Sequence, residues 1–339
     1  MDRYLPPSPA AVTRKACRQS PLTFRQVGVD DLATGDVDPS LVPHWSGMLR
    51  VLASVHDAFG PRYLHEVVRG ELSIIRRHRI AAQPEVSVGL LNVETRWAEF
   101  ASWTADNLGD FDAARNWLEI GLALAQQANN RPMVAYVLMR QAQQALDRGD
   151  RTQARILAEQ AREQAPLSLR DRALCAIRYA QALALTGQAH VSLTAIDEAY
   201  ALVSKADEAD TDMDPYTIGR HCTRTYVAAH EGFCKLALGR HDEAVALLEA
   251  VLMDWPQSYR QDEAVARSWL AHAYAEAGRL AEAGLEGTRA LALTIQTGSA
   301  RAQRDLGRLE ARLAVDHKLP EAERFAAAYR MIVGQTGGL

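Results

Sequence analysis

The stretch from Ala135 to Pro166, AYVLMRQAQQALDRGDRTQARILAEQAREQAP, limits the fold more than any other part of the chain. Apolar residues recur at helical spacing on both sides of Gly149-Asp150, which reads as two amphipathic helices joined by a tight turn. With Ala135 as position 1, Ala142 falls at 8, Ala145 at 11, Ala154 at 20, Ala161 at 27 and Pro166 at 32. Small side chains at such positions let two antiparallel helices approach closely. A hairpin of this kind leaves one apolar face bare, and only a following hairpin can cover it.

The rest of the chain supplies those hairpins. Turn glycines stand at Gly109, Gly149, Gly187, Gly239 and Gly278, at intervals of 40, 38, 52 and 39 residues. Four of them are followed by an alanine equivalent to Ala154 (Ala114, Ala154 itself, Ala244 and Ala283), and the third repeat has Ser192 there. Gly232 and Pro256 add the position-8 and position-32 residues of the fourth repeat. This spacing resembles the tetratricopeptide (TPR) pattern, with small residues at 8, 20 and 27. The implied fold class is all-α: a TPR-like helical-hairpin solenoid, a right-handed superhelix of about 14 helices. Aromatic residues are only 6% of the chain, while Ala, Leu, Arg, Glu and Gln abound, a mixture that favours helix over sheet. Each Leu or Val buried at a seam between hairpins contributes about 1.5–3 kcal/mol.

Taken in order, residues 1–40 carry Pro6, Pro7, Pro9, Pro21 and Pro39 with weak periodicity, and read as a poorly ordered or loosely docked arm with room for one short helix over 12–19. Residues 41–82 read as an N-terminal helical pair broken at Gly60-Pro61. Five TPR-like repeats follow over 90–298, and the long interval is explained by an Asp-rich insertion at 204–220. Two capping helices over 299–334 close the array.

Chemical signatures are sparse. The chain contains no G-x-x-x-x-G-K-[ST], G-x-G-x-x-G or G-x-S-x-G, so no cofactor and no catalytic residue is assigned. His230-Glu231-Gly232-Phe233-Cys234 approaches H-E-x-x-H, but Cys234 stands in place of the second His, and His65-Glu66-Val67-Val68-Arg69 fails at the same place. A zinc site from His230, Cys234, His221 and Cys222 competes with the reading of Gly232 as a packing residue and of cysteine as a common buried residue. No metal is assigned. Asp210-x-Asp212-x-Asp214 is a fragment of a calcium loop in which Pro215 replaces Gly and His221 replaces the bidentate Glu, so it reads as solvated loop. Arg76-Arg77-His78-Arg79 could touch phosphate, but it reads better as cations in the last turn of a helix, where the dipole favours them.

Four cysteines (Cys17, Cys175, Cys222, Cys234) without C-x-x-C spacing suit a reducing cytoplasm. No apolar run reaches signal-peptide or membrane-spanning character, so no membrane association and a cytoplasmic location are expected. A net charge of −4 disfavours DNA binding by the chain alone.

In a TPR superhelix the first helix of each pair lines the concave surface, at positions 2, 5, 9 and 12. Those positions and their neighbours give Arg96, Glu99, Trp103, Tyr136, Met139, Arg140, Gln143, Arg178, Gln181, Tyr226, His230, Phe233, Ser268, Trp269 and His272 as candidate ligand-binding residues. Gln and Arg suit a peptide backbone, and Tyr, Trp and Phe suit its side chains. The competing reading for several, especially Phe233 and Trp269, is packing within or between repeats.

Residues from about 37 to 325 resemble the regulatory part of an actinobacterial family of helix-turn-helix transcriptional regulators of the xenobiotic-response-element (XRE) type with TPR-like C-terminal halves. The resemblance rests on DPSLVPHWSGMLRVLASVHDAFGPRYL (38–64), RWAEFASWTADNLGDFDAARNWL (96–118), MVAYVLMRQAQQALDRGD (133–150) and HEGFCKLALGRHDEAVALLE (230–249). It implies a cytoplasmic regulator that senses a small molecule, peptide or protein through its repeats. The proline-interrupted arm departs from that family's DNA-binding domain, so direct DNA binding is expected only through a partner.

Three functions compete. A non-enzymatic sensor or adaptor would bind a protein, peptide or small ligand in its groove. A passive scaffold would hold partners without ligand-driven change, and either is compatible with a homodimer. A metal-dependent enzyme built around His230 and Cys234 lacks a paired acid and base.

Overall fold

A computed structural model describes residues 37–61, 63–209, 219–314 and 319–336. The arm at 1–36 and the aspartate triplet at 210–214 lie outside the described residues. Among the described residues there are fourteen α-helices and no strand. α1 (Leu41–Phe59) and α2 (Leu64–Ala81) lead into α3 (Pro84–Leu108) and α4 (Phe111–Gln127). Then follow α5 (Arg131–Arg148), α6 (Arg151–Arg162), α7 (Leu169–Leu185), α8 (Ala189–Ala209), α9 (Arg224–Ala237) and α10 (His241–Met253). The chain closes with α11 (Arg260–Glu276), α12 (Leu280–Thr297), α13 (Ala300–Leu313) and α14 (Pro320–Thr336). α8 runs to Ala209, so the first six residues of the expected insertion continue a helix.

The turns show why hairpins form where they do. Gly109 and Gly149 take left-handed backbone at φ +82° and +81°, and each hands over to an aspartate that caps the next helix. The Asp110 carboxylate accepts from the Ala113 amide and the Asp150 carboxylate from the Gln153 amide, both at 3.0 Å. In the fourth and fifth hairpins arginine replaces the capping aspartate, and Arg240 and Arg279 instead pair with Glu243 and Glu282 one turn on. Inside the hairpins Ala114, Ala154, Ser192, Ala244 and Ala283 are all fully buried. Ser192 keeps its hydroxyl satisfied by donating to the Ala180 carbonyl at 2.8 Å.

Consecutive hairpins α3–α4, α5–α6, α7–α8, α9–α10 and α11–α12 stack, and the odd-numbered helices line the inner side. The stack then turns back on itself. α13 touches α3, and α1 touches α11 and α12, so the ends of the array meet. Three arginines on one face of α13 make this seam around Asp147 at the end of α5. Arg301 and Arg304 approach its carboxylate at 3.2 and 3.6 Å, and Arg308 donates to its backbone carbonyl at 2.9 Å. Arg304 also lies 4.0 Å from the centre of the Phe111 ring. On the α1 side, Asn107 Nδ2 donates to Gln261 Oε1 at 3.0 Å, and Gln261 Nε2 donates to the His56 carbonyl at 3.3 Å. The concave surface is therefore not the open trough that a run of repeats suggests.

Candidate ligand chamber

Closing the superhelix forms a chamber of about 720 Å³ that opens at one rim. Its walls come from α1, α3, α5, α7, α9, α11 and α13, together with the segment 219–221. One side is apolar, with Leu49 and Ala53 of α1 facing Val93, Trp97 and Phe100 of α3. These side chains belong to a core cluster that includes Trp45, whose backbone carbonyl accepts from the Trp97 indole at 3.2 Å. Ser46, Arg50 and Ser54, exposed on α1, form the rim.

The other side is polar and mostly cationic. Six guanidinium groups line the chamber, from Arg50, Arg96, Arg140, Arg178, Arg220 and Arg301, against the two carboxylates of Glu99 and Asp262. Arg140 Nε lies 3.3 Å from the Glu99 carboxylate, and Arg140 Nη1 donates to Gln143 Oε1 at 2.6 Å. Arg178 Nη1 donates to Gln181 Oε1 and its Nη2 to the Tyr226 hydroxyl, both at 2.7 Å. Burial works against the charges of Arg140 and Arg301, but Glu99, Tyr136 and Asp106 together for the first, and Asp147, Asp262, Tyr226 and Asp106 together for the second, outweigh it, so both stay protonated. His221 is held neutral: desolvation, with Arg178 and Arg140 nearby, brings its pKa down to about 4 against the pull of Asp262. Burial also pushes the Tyr136 phenol up, so it remains a neutral hydroxyl.

Nine of the fifteen residues expected on the concave face line this chamber: Arg96, Glu99, Trp103, Tyr136, Met139, Arg140, Gln143, Arg178 and Tyr226. The structure places the other six elsewhere. Gln181 is buried behind the wall, where it holds Arg178. His230 lies between Tyr226 and Trp269, at ring separations of 4.4 and 5.1 Å, and Phe233 packs on Trp269 at 5.0 Å. These three fill the seam between α9 and α11, as the packing alternative for Phe233 and Trp269 anticipates. Ser268 is fully buried and bonded to the Val265 carbonyl, and His272 Nε2 sits 2.9 Å from the Asp305 carbonyl of α13.

Reading one repeat at a time misses the α1 residues and Tyr259, Gln261, Asp262 and Arg301, because they reach the chamber through ring closure. The one sequence trace of closure is the arginine spacing Arg301, Arg304, Arg308 on a single face of α13. Cys175, Cys222 and Cys234 are buried free thiols, each pushed by burial to about 12, which makes them inert. Among the described residues no group of three or more His, Cys, Asp or Glu is arranged to hold a metal ion. Among them too, no helix is long and apolar enough to cross a membrane.

No protein-family model matches the chain, and no curated protein does. Among solved structures it is similar to a Rap protein complexed with competence and sporulation factor, at a TM-score of 0.51 and 14% identity, covering 88% of this chain and 98% of that one. At that identity the likeness concerns the fold, a TPR-like helical solenoid.

Proposed function

We propose that this chain is a regulatory binding protein, not an enzyme, and that its ligand is a short peptide held in the central chamber. One observation carries the reading: a chamber of about 720 Å³, lined by seven helices and open at its rim, with an apolar wall facing a polar one. That volume lies in the range of sites that bury a compact ligand. Aromatic and aliphatic groups would take ligand side chains, while Gln143, Tyr226 and the arginines would hold backbone carbonyls. The fold neighbour, a Rap protein complexed with competence and sporulation factor, supports a bound partner as the working state of such a solenoid. The sequence resemblance to XRE-type regulators favours a place in transcriptional control, through a DNA-binding partner.

The test is affinity selection of a randomised pentapeptide library on the full chain and on Ser46→Trp, a change at the exposed chamber rim. The expected result is enrichment of a sequence class by the native chain and its loss in Ser46→Trp, with both proteins melting alike. Equal enrichment by both would place the binding elsewhere and overturn the chamber reading.

A further inference from the structure

The two central inner helices repeat one device. Arg140-x-x-Gln143 on α5 and Arg178-x-x-Gln181 on α7 occupy the same place in successive repeats, each arginine nine residues before its turn glycine, Gly149 or Gly187. In both, the glutamine one turn on accepts from guanidinium Nη1, at 2.6 and 2.7 Å. Both arginines are more than nine-tenths buried, at 9% and 2% exposure, and both line the chamber. Their buried N–H groups are not used up. Arg140 Nη2 and Arg178 Nε have no hydrogen-bond partner among the described residues. Buried donors of this kind are costly to leave unmade, and a guanidinium fork held at fixed orientation matches a carboxylate.

The charge balance points the same way. The chain as a whole carries −4, yet the chamber wall has six arginines to two carboxylates, with Asp147 behind Arg301 and Asp106 near Arg140 and Arg301 as further acidic groups. A ligand without a carboxylate would leave the buried donors of Arg140 and Arg178 unmatched. We infer that the chamber recognises a carboxylate, docked on the cationic wall of Arg140 and Arg178 with Gln143 and Gln181 as positioning residues, and that an apolar ligand group rests on Trp103, Ala53 and Leu49. Taken with the peptide reading, on which this rests, the ligand is an acidic peptide with an aliphatic or aromatic residue beside its carboxylate.

The experiment uses the full chain and pentapeptides randomised over acidic, amide and apolar residues, made with either a free or an amidated C-terminus. The expected outcome is selection of carboxylate-bearing peptides and an affinity loss of at least ten-fold when each carboxylate becomes its amide. A loss confined to amidation of the C-terminus assigns the carboxylate to the peptide end, and a loss on changing an acidic side chain assigns it there. In Arg140→Met and Arg178→Met the acid-to-amide difference should fall below two-fold. The comparison on the native chain stands even if those variants fail to fold. Neutral peptides selected as strongly as acidic ones would overturn the carboxylate inference and leave the peptide reading intact. If no peptide is enriched, succinate is the second probe, with chloride at matched ionic strength as control. A succinate-dependent rise in melting temperature, lost in Arg178→Met, would keep the carboxylate site and overturn the peptide. No rise would overturn both.

Discussion

Gly232 on α9 stands so close to α10 that a Cβ there would lie 2.6 Å from Leu248 Cγ and 2.7 Å from its Cδ2. Leu248 is fully buried, so it has little room to yield. Gly232→Ala is therefore expected to destabilise the chain by about 1–3 kcal/mol in chemical denaturation. An unchanged midpoint would mean that Leu248 turns aside freely. Gly232 was legible because its place in the repeat demands a small residue, whatever lies beyond the hairpin. Arg140 and Arg178 were legible for a related reason, since they sit at inner-face positions of successive hairpins. His230, Phe233 and Trp269 occupy comparable positions but face one another across the α9–α11 seam. Helical periodicity reports which side of a helix is inside, and not whether a ligand or a neighbouring side chain fills that inside.

Hairpins are set by their contact residues more than by their turns. The third hairpin uses Ser192 where the others use alanine, with its hydroxyl donating across to the Ala180 carbonyl. Ser192→Ala restores the residue of the other repeats and should cost no more than about 1 kcal/mol, the net worth of one such bond. Ala154→Leu, by contrast, would force a larger side chain into a fully buried position between α5 and α6 and should cost about 1–3 kcal/mol. Thermal melts of the two variants side by side check this ordering. If the serine variant proved the more damaging, hydrogen bonding and not closeness of approach would define the hairpin. The helical pairs and their turns were readable because capping, turn glycine and small-residue spacing all act within one hairpin. The extension of α8 to Ala209 was not, because an Asp-rich stretch of low apolar content reads as loop unless the helix before it is anchored, and Leu202, Val203 and Ala206 provide that anchor.

At the scale of the whole molecule the deciding feature is closure, which joins residues more than 150 positions apart in the chain, such as Asn107 with Gln261 and Asp147 with Arg308. No local pattern encodes such a pairing, so the sequence alone yields a trough where the structure has a chamber. Gly60 is part of the seam: at φ +80° it faces the end of α12, and a Cβ would stand 2.8 Å from the Thr297 carbonyl oxygen. Gly60→Ala should part α1 from α12, lower stability by about 1–3 kcal/mol and raise the radius of gyration measured by X-ray scattering. An unaltered scattering curve would show that closure does not depend on this contact. The central claim, that the central chamber is where the ligand sits, is tested most directly by photo-crosslinking. A library-selected peptide carrying a benzophenone in place of its apolar residue would be irradiated on the full chain and the adducts mapped by mass spectrometry. The account predicts adducts on the chamber residues Met139, Trp103 and Leu49; adducts confined to the outer helices α4, α6, α8 and α10 would contradict it.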